Sequence, residues 1–109
     1  MSKVFYGQLG RLKPNKIDDY VKLHADVWPG VIEMMKECNL SNYSTFLYGE
    51  MVFAYFEYEG DNYEIDMQKM ADDLLTQEWW THTHPCFVEY AISKDSQFYH
   101  DMKQIFYME

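Results

Sequence analysis

The sequence predicts an α+β fold with the element order β-α-β-β-α-β, and three observations predict it. The first is Met51–Glu59, where Met51, Phe53 and Tyr55 alternate with Val52, Ala54, Phe56 and Tyr58. Successive strand residues point to opposite sides, so this strand is apolar on both faces and both need cover. The second is a pair of helical runs, one on each side of a hairpin-like segment. The third is an apolar, strand-like segment near each end of the chain.

Val4–Leu12 reads as the first strand, with Val4, Phe5, Tyr6 and Leu9 supplying its bulk. Lys13-Pro14-Asn15 is turn chemistry, and Asn15 is the expected N-cap of the helix that follows. Asp18 and Asp19 suit the positive end of that helix, expected over Lys16–Val27. Pro29 cannot continue it without losing a backbone hydrogen bond, and it drives Trp28 out of helical geometry. Helical spacing resumes over Gly30–Cys38, through Val31, Met34, Met35 and Cys38, with Asn39 as the stop. Asn42–Tyr48 and Met51–Glu59 form a hairpin about Gly49-Glu50. Gly60-Asp61-Asn62 turns and caps a helix running through Ile65, Met67, Met70, Leu74 and Leu75. Thr76 is the expected cap of a further short helix carrying Glu78, Trp79 and Trp80. His82–Ser96 carries no single periodicity, since Pro85 interrupts any helix and Lys94–Gln97 is polar. Ile105, Phe106 and Tyr107 place a last strand over Lys103–Met108. This order is the split βαβ arrangement of ferredoxin-like folds, with the helices on one face of the sheet. A partner subunit is the simplest cover for the other face.

The 109 residues are expected to form one domain, 1–109, that buries roughly two-thirds of its unfolded surface. A net charge of −9 argues against nucleic acid and anionic membranes, which would repel it. No signal peptide and no membrane-spanning run is evident, and Cys38 and Cys86 read as reduced thiols, so a cytoplasmic location is expected. Ten tyrosines give the chain an unusual supply of phenol groups.

On a helix, Tyr20, His24 and Trp28 fall at successive i, i+4 positions on one side. They form either a core stripe with a histidine satisfied by a backbone carbonyl, or a ligand face that is apolar in body and polar at the tips. His24 is the best acid–base candidate, because an imidazole exchanges protons near neutrality. Tyr20 and Tyr43 can offer O–H groups to the same ligand. The adjacent Trp79 and Trp80 point about 100° apart on a helix, so one buried face does not readily take both. Either both rings serve core and interface, or one lines a cleft, where an indole suits the C–H face of a sugar. His82 and His84 lack a recognised ligand spacing with any carboxylate, so they read as rim or solvent-facing residues and no metal site is expected. Phosphate loops, Ser-His-Asp patterns and basic patches are not found.

Taken together, Tyr20-x3-His24-x3-Trp28-Pro29, Asn42-Tyr43, Trp79-Trp80 and the closing Phe106-Tyr107 resemble the L-rhamnose mutarotases along almost the whole chain. The resemblance implies a ferredoxin-like subunit in a dimeric α/β barrel that interconverts the α and β anomers of L-rhamnose without a cofactor. It implies that His24 is the proton donor, and that Tyr20, Tyr43, Trp79 and Trp80 contact the sugar; Trp28, which Pro29 aims away from an ordinary core position, is a further candidate contact. The segment around His82-Thr-His84-Pro85 departs from the family's pattern and is a candidate for the pocket wall. Competing readings are a dimeric α/β-barrel monooxygenase, with His24 as an axial haem ligand, and a non-catalytic sugar-sensing module. A related L-sugar such as L-fucose, L-lyxose or L-mannose is the alternative substrate.

Overall fold

The computed structural model describes residues 3–89 and 98–109. Four strands form one sheet: β1 (Val4–Arg11), β2 (Leu40–Tyr48), β3 (Met51–Tyr58) and β4 (Tyr99–Met102), in the order β2-β3-β1-β4. Every pairing is antiparallel. Helices α1 (Ile17–Ala25) and α2 (Pro29–Glu37) follow β1, and α3 (Tyr63–Asp72) and α4 (Leu74–Thr83) follow β3. The observed order is the α+β arrangement read from the sequence.

The two faces of β3 behave differently. Val52, Ala54, Phe56 and Tyr58 are almost fully buried, whereas Phe53 and Tyr55 on the other face are each 38% exposed. The helices cover only the first face, in two clusters. Leu12, Tyr20, Val52, Cys86 and Phe87 make one, with Ile17, Phe98 and Tyr99 packed against it. Leu40, Phe56 and Tyr58 make the other, with Tyr6, Met35, Tyr63, Met67 and Met70 around it. The opposite face stays open, and Phe46, Phe53, Tyr55 and Met102 are all exposed there.

Several boundaries differ from the sequence expectation. A 3-10 turn over Pro14–Lys16 precedes α1, so Asn15 lies inside that turn and caps nothing. Lys16 N–H instead closes the turn on the Lys13 carbonyl at 2.9 Å. Helix α1 stops at Ala25, two residues short of Val27. Strand β2 starts at Leu40 and carries a bulge between Ser41 and Ser44, where Asn42 takes φ 49°. Asp73, not Thr76, caps α4. Its carboxylate accepts from the Thr76 N–H at 2.9 Å and the Thr76 hydroxyl at 2.8 Å, so Leu74 and Leu75 belong to α4. Asn39 does end α2, in the left-handed region at φ 67°.

The last strand is Tyr99–Met102, not Lys103–Met108. Residues 103–109 follow β4 outside the ladder and are exposed. The Tyr107 ring stacks on Phe5 of β1, with centroids 4.6 Å apart. Of the apolar run Ile105–Met108, Tyr107 thus meets the open face of the sheet, while Ile105, Phe106 and Met108 stay largely exposed. The polar stretch Lys94–Gln97 lies outside the described residues.

Candidate active site

His24 sits on α1, one turn beyond Tyr20. Its Nδ1 lies 3.0 Å from the Tyr20 carbonyl oxygen. A carbonyl only accepts, so Nδ1 carries the proton and Nε2 keeps the free lone pair. The ring stacks on Tyr20 at 4.1 Å and meets the edge of Trp79 at 5.8 Å. Burial lowers the His24 pKa from its ordinary value of 6.5, and the hydrogen bond to the Tyr20 carbonyl opposes the shift. The lowered pKa favours the uncharged ring at neutral pH, with Nε2 as its acceptor nitrogen.

The Trp28-Pro29 break positions the next aromatic ring. Trp28 takes φ −59° and ψ 129°, and its carbonyl accepts from the first N–H groups of α2, with Pro29 opening that helix. Trp28 consequently meets Trp79 edge-on at 5.1 Å and His82 at 5.5 Å. Tyr20, His24, Trp79, Trp28 and His82 thus form one continuous run of ring contacts across α1 and α4. Trp79 is buried.

Trp80 faces elsewhere. It stacks on His84 at 5.3 Å, and His84 packs against Phe98 at 4.5 Å. The structure therefore divides the tryptophan pair, bringing Trp79 to His24 and Trp80 to a separate cleft of about 820 Å³ lined by Lys13, Thr81, His84, Phe87 and Phe98. A second cleft of about 590 Å³ runs between Lys16, Lys22, Asp26, His82 and Pro85. Neither cleft is lined by His24, Tyr20 or Tyr43. Among the described residues no three His, Cys, Asp or Glu side chains are grouped to hold a metal, and His82 and His84 have different neighbours.

Tyr43 reaches the same side of the sheet from β2, just after the Asn42 bulge. Its ring stacks on Phe56 at 5.1 Å, Phe56 stacks on Tyr6 at 5.1 Å, and Tyr6 on Tyr63 at 4.6 Å. The outer edge of Tyr43 is exposed on the edge strand, but its hydroxyl end is enclosed. Burial raises its pKa, and the neighbouring Tyr99 and Tyr63 phenols raise it further. Tyr20 is pushed up to about 12 by burial, with Tyr43 adding to the rise. The Tyr20 and Tyr99 hydroxyls lie 3.3 Å apart. Phenols from α1, β2, α3 and β4 thus come together on the helix side of the sheet, Tyr20 among them touching His24, and all stay protonated at neutral pH.

Tyr63 and Tyr99 were not expected in this group. The tyrosine count pointed to phenol chemistry, but no motif singles these two out. Tyr99 sits on a strand of four residues placed later in the sequence than the structure has it.

A sequence model of the L-rhamnose mutarotase family matches residues 6–108. The L-rhamnose mutarotase of Oceanobacillus iheyensis is 33% identical over 98 residues, covering 88% of this chain and 89% of that one. That of Bacillus subtilis is 33% identical over 97 residues, covering 87% and 88%. The crystal structure of an L-rhamnose mutarotase from Formosa agariphila superposes with a TM-score of 0.76 at 20% identity, covering 97% of this chain and 99% of that one. A Bordetella bronchiseptica protein named for the antibiotic biosynthesis monooxygenases shares the fold at 11% identity, with a TM-score of 0.66 and coverage of 97% and 100%. Two sequence relatives and a family match of nearly full length give one result: the chain belongs to the L-rhamnose mutarotase family.

Proposed function

We propose that this chain interconverts the α and β anomers of L-rhamnose, with His24 as the acid–base residue. Its family supports the reaction, and the observation that carries the assignment of the residue is the His24 environment. The ring is held by the Tyr20 carbonyl at Nδ1, flanked by Tyr20 and Trp79, and left with one basic nitrogen.

Opening a pyranose hemiacetal requires a proton on the ring oxygen and loss of one from the anomeric hydroxyl. Closing onto the other face of the carbonyl reverses both transfers. A histidine that takes and returns one of these protons contributes about 10²–10⁴-fold. Tyr20 and Tyr43 offer hydroxyls to the sugar oxygens, and Trp79, with Trp28 behind it, offers an apolar wall to the C–H face. Trp80 stands outside this grouping. No cofactor takes part in the step as proposed.

We further propose that one domain, 1–109, acts as a cytoplasmic homodimer. The open sheet face supports the dimer, since a second copy would cover its exposed aromatic and methionine side chains. The buried free thiols Cys38 and Cys86 fit a reducing compartment.

Saturation transfer between the α and β anomeric protons of L-rhamnose tests the assignment. Wild-type protein is expected to exchange the two signals, and His24→Ala to fold and abolish the exchange. Full activity in His24→Ala would remove His24 from the mechanism. Exchange of another L-sugar but not of L-rhamnose would keep the chemistry and change the substrate.

A further inference from the structure

Mutarotation moves two protons, and the His24 geometry provides for one. With Nδ1 committed to the Tyr20 carbonyl, a single nitrogen faces the substrate. A second proton-transfer group has to act on the other oxygen of the hemiacetal.

Tyr99 enters the phenol cluster from β4, directly opposite Gly10 of β1. Glycine is needed there because a Cβ at residue 10 would lie 2.8 Å from the Phe87 ring and 3.1 Å from the Tyr99 ring. The Tyr99 ring packs edge-on to Phe87 at 5.1 Å, and Phe87 packs edge-on to Tyr20 at 5.3 Å. This packing fixes the Tyr99 hydroxyl 3.3 Å from that of Tyr20. Either hydroxyl can donate to the other at rest, but once Tyr20 releases its proton only the Tyr99 hydroxyl can donate. Tyr20 in turn stacks on the imidazole of His24, so its hydroxyl and His24 Nε2 serve one small region.

Resting on the mutarotase reading, we propose that Tyr20 supplies the second proton, and that Tyr99 is a positioning residue whose hydroxyl holds and stabilises Tyr20 while it does so. In ring opening, His24 Nε2 takes the proton of the anomeric hydroxyl, and the electrons of that O–H bond form the carbonyl. The bond from the anomeric carbon to the ring oxygen breaks, and its electron pair takes the phenolic proton of Tyr20. The open-chain aldehyde then lies beside an imidazolium and a Tyr20 phenolate that accepts a hydrogen bond from Tyr99. Closure on the opposite carbonyl face returns both protons. Nothing is oxidised or reduced, and the protein ends in its starting protonation state.

The same saturation-transfer measurement, run over a range of L-rhamnose concentrations, gives kcat and KM for wild type, Tyr20→Phe, Tyr99→Phe and the double variant. Phenylalanine at residue 99 keeps the ring that packs on Gly10 and Phe87. Tyr99→Phe is expected to lower kcat about 10- to 100-fold, the size of one hydrogen bond to a charged group. KM should stay within about twofold, because the bond strengthens only as the phenolate forms. The double variant should be no slower than Tyr20→Phe, since Tyr99 acts only through Tyr20. Wild-type kcat in Tyr99→Phe, a rise in KM alone, or losses that multiply in the double variant would each overturn the inference and leave the mutarotase reading intact. An inactive wild type would overturn that reading and the inference with it.

Discussion

With His24 as the proposed acid–base residue, burial of its ring predicts a pH dependence of definite sign. Desolvation lowers its pKa below 6.5, so the neutral, basic form persists into more acidic solution than that of a free imidazole. The acid limb of kcat/KM is therefore expected to have its midpoint below 6.5, and a profile falling with a midpoint above 6.5 would contradict the packing around His24. The same shift links to stability. The unfolded chain binds a proton at His24 more readily than the folded one, so this contribution to stability shrinks as pH falls below 6.5. At Glu57 the carboxylate accepts from Tyr55 at 2.8 Å and from Asn42 and Lys3 at 3.0 Å. The hydrogen bonds from Asn42, Tyr55 and Lys3 hold its pKa down to about 2. Its stabilisation is present above the ordinary value of 4.5 and is lost as pH falls towards 2. Glu57→Gln should therefore flatten the acid side of the stability curve in that window, as read by denaturant melts at stepped pH. The sequence offered His24 and Tyr20 through their i, i+4 spacing. It did not identify Lys3 and Asn42 as the partners of Glu57, because both are distant from it in the chain.

Helix α4 carries Trp79 to His24, and one side chain fixes where that helix begins. Asp73 is the N-cap, and both of its contacts go to Thr76. Replacing it with Ala is expected to cost about 0.5–2 kcal/mol. That corresponds to a fall in Tm of roughly 4–8 °C per kcal/mol for a domain near this size. Thr76→Val, which keeps the N–H and loses only the hydroxyl contact, should cost less, and thermal melts of the two variants decide the order. Local sequence gave the helices readily, because periodicity and Pro29 act over a few residues. The sequence pointed to Thr76 as the cap, and the packed helix instead uses Asp73, three residues earlier. The last strand was misplaced for a related reason. Ile105, Phe106 and Tyr107 have strand-like composition, but their contact is a stack of Tyr107 on Phe5, which depends on a face formed by other elements.

For the whole molecule, the asymmetry of the sheet is the governing fact. One face is filled by helices, and the other leaves Phe46 56% and Phe53 38% exposed. The alternating pattern of β3 showed that both faces want cover, and a chain of this length has helices for one. Phe53→Glu is expected to convert a dimer into a monomer while leaving the helix-side core intact, with sedimentation equilibrium reading the mass. A wild-type monomer at micromolar concentration would show that the open face serves something other than self-association. The site was harder to read from sequence than the fold. Its phenols arrive from α1, β2, α3 and β4, and their convergence is a property of the sheet order β2-β3-β1-β4.

The two thiols turn this architecture into a clock. Cys86 is packed with Tyr20 and Phe87, while Cys38 closes α2 with its Sγ 3.7 Å from the Met34 sulfur. Both are buried, and burial raises both thiol pKa values, so neither reacts until the chain around it opens. In Cys38→Ala, alkylation of Cys86 times the opening of the layer behind Tyr20 and His24. In Cys86→Ala, alkylation of Cys38 times the release of α2. Comparing the two rates with and without sugar would show whether a bound substrate slows the breathing of its own half of the protein or of the whole chain.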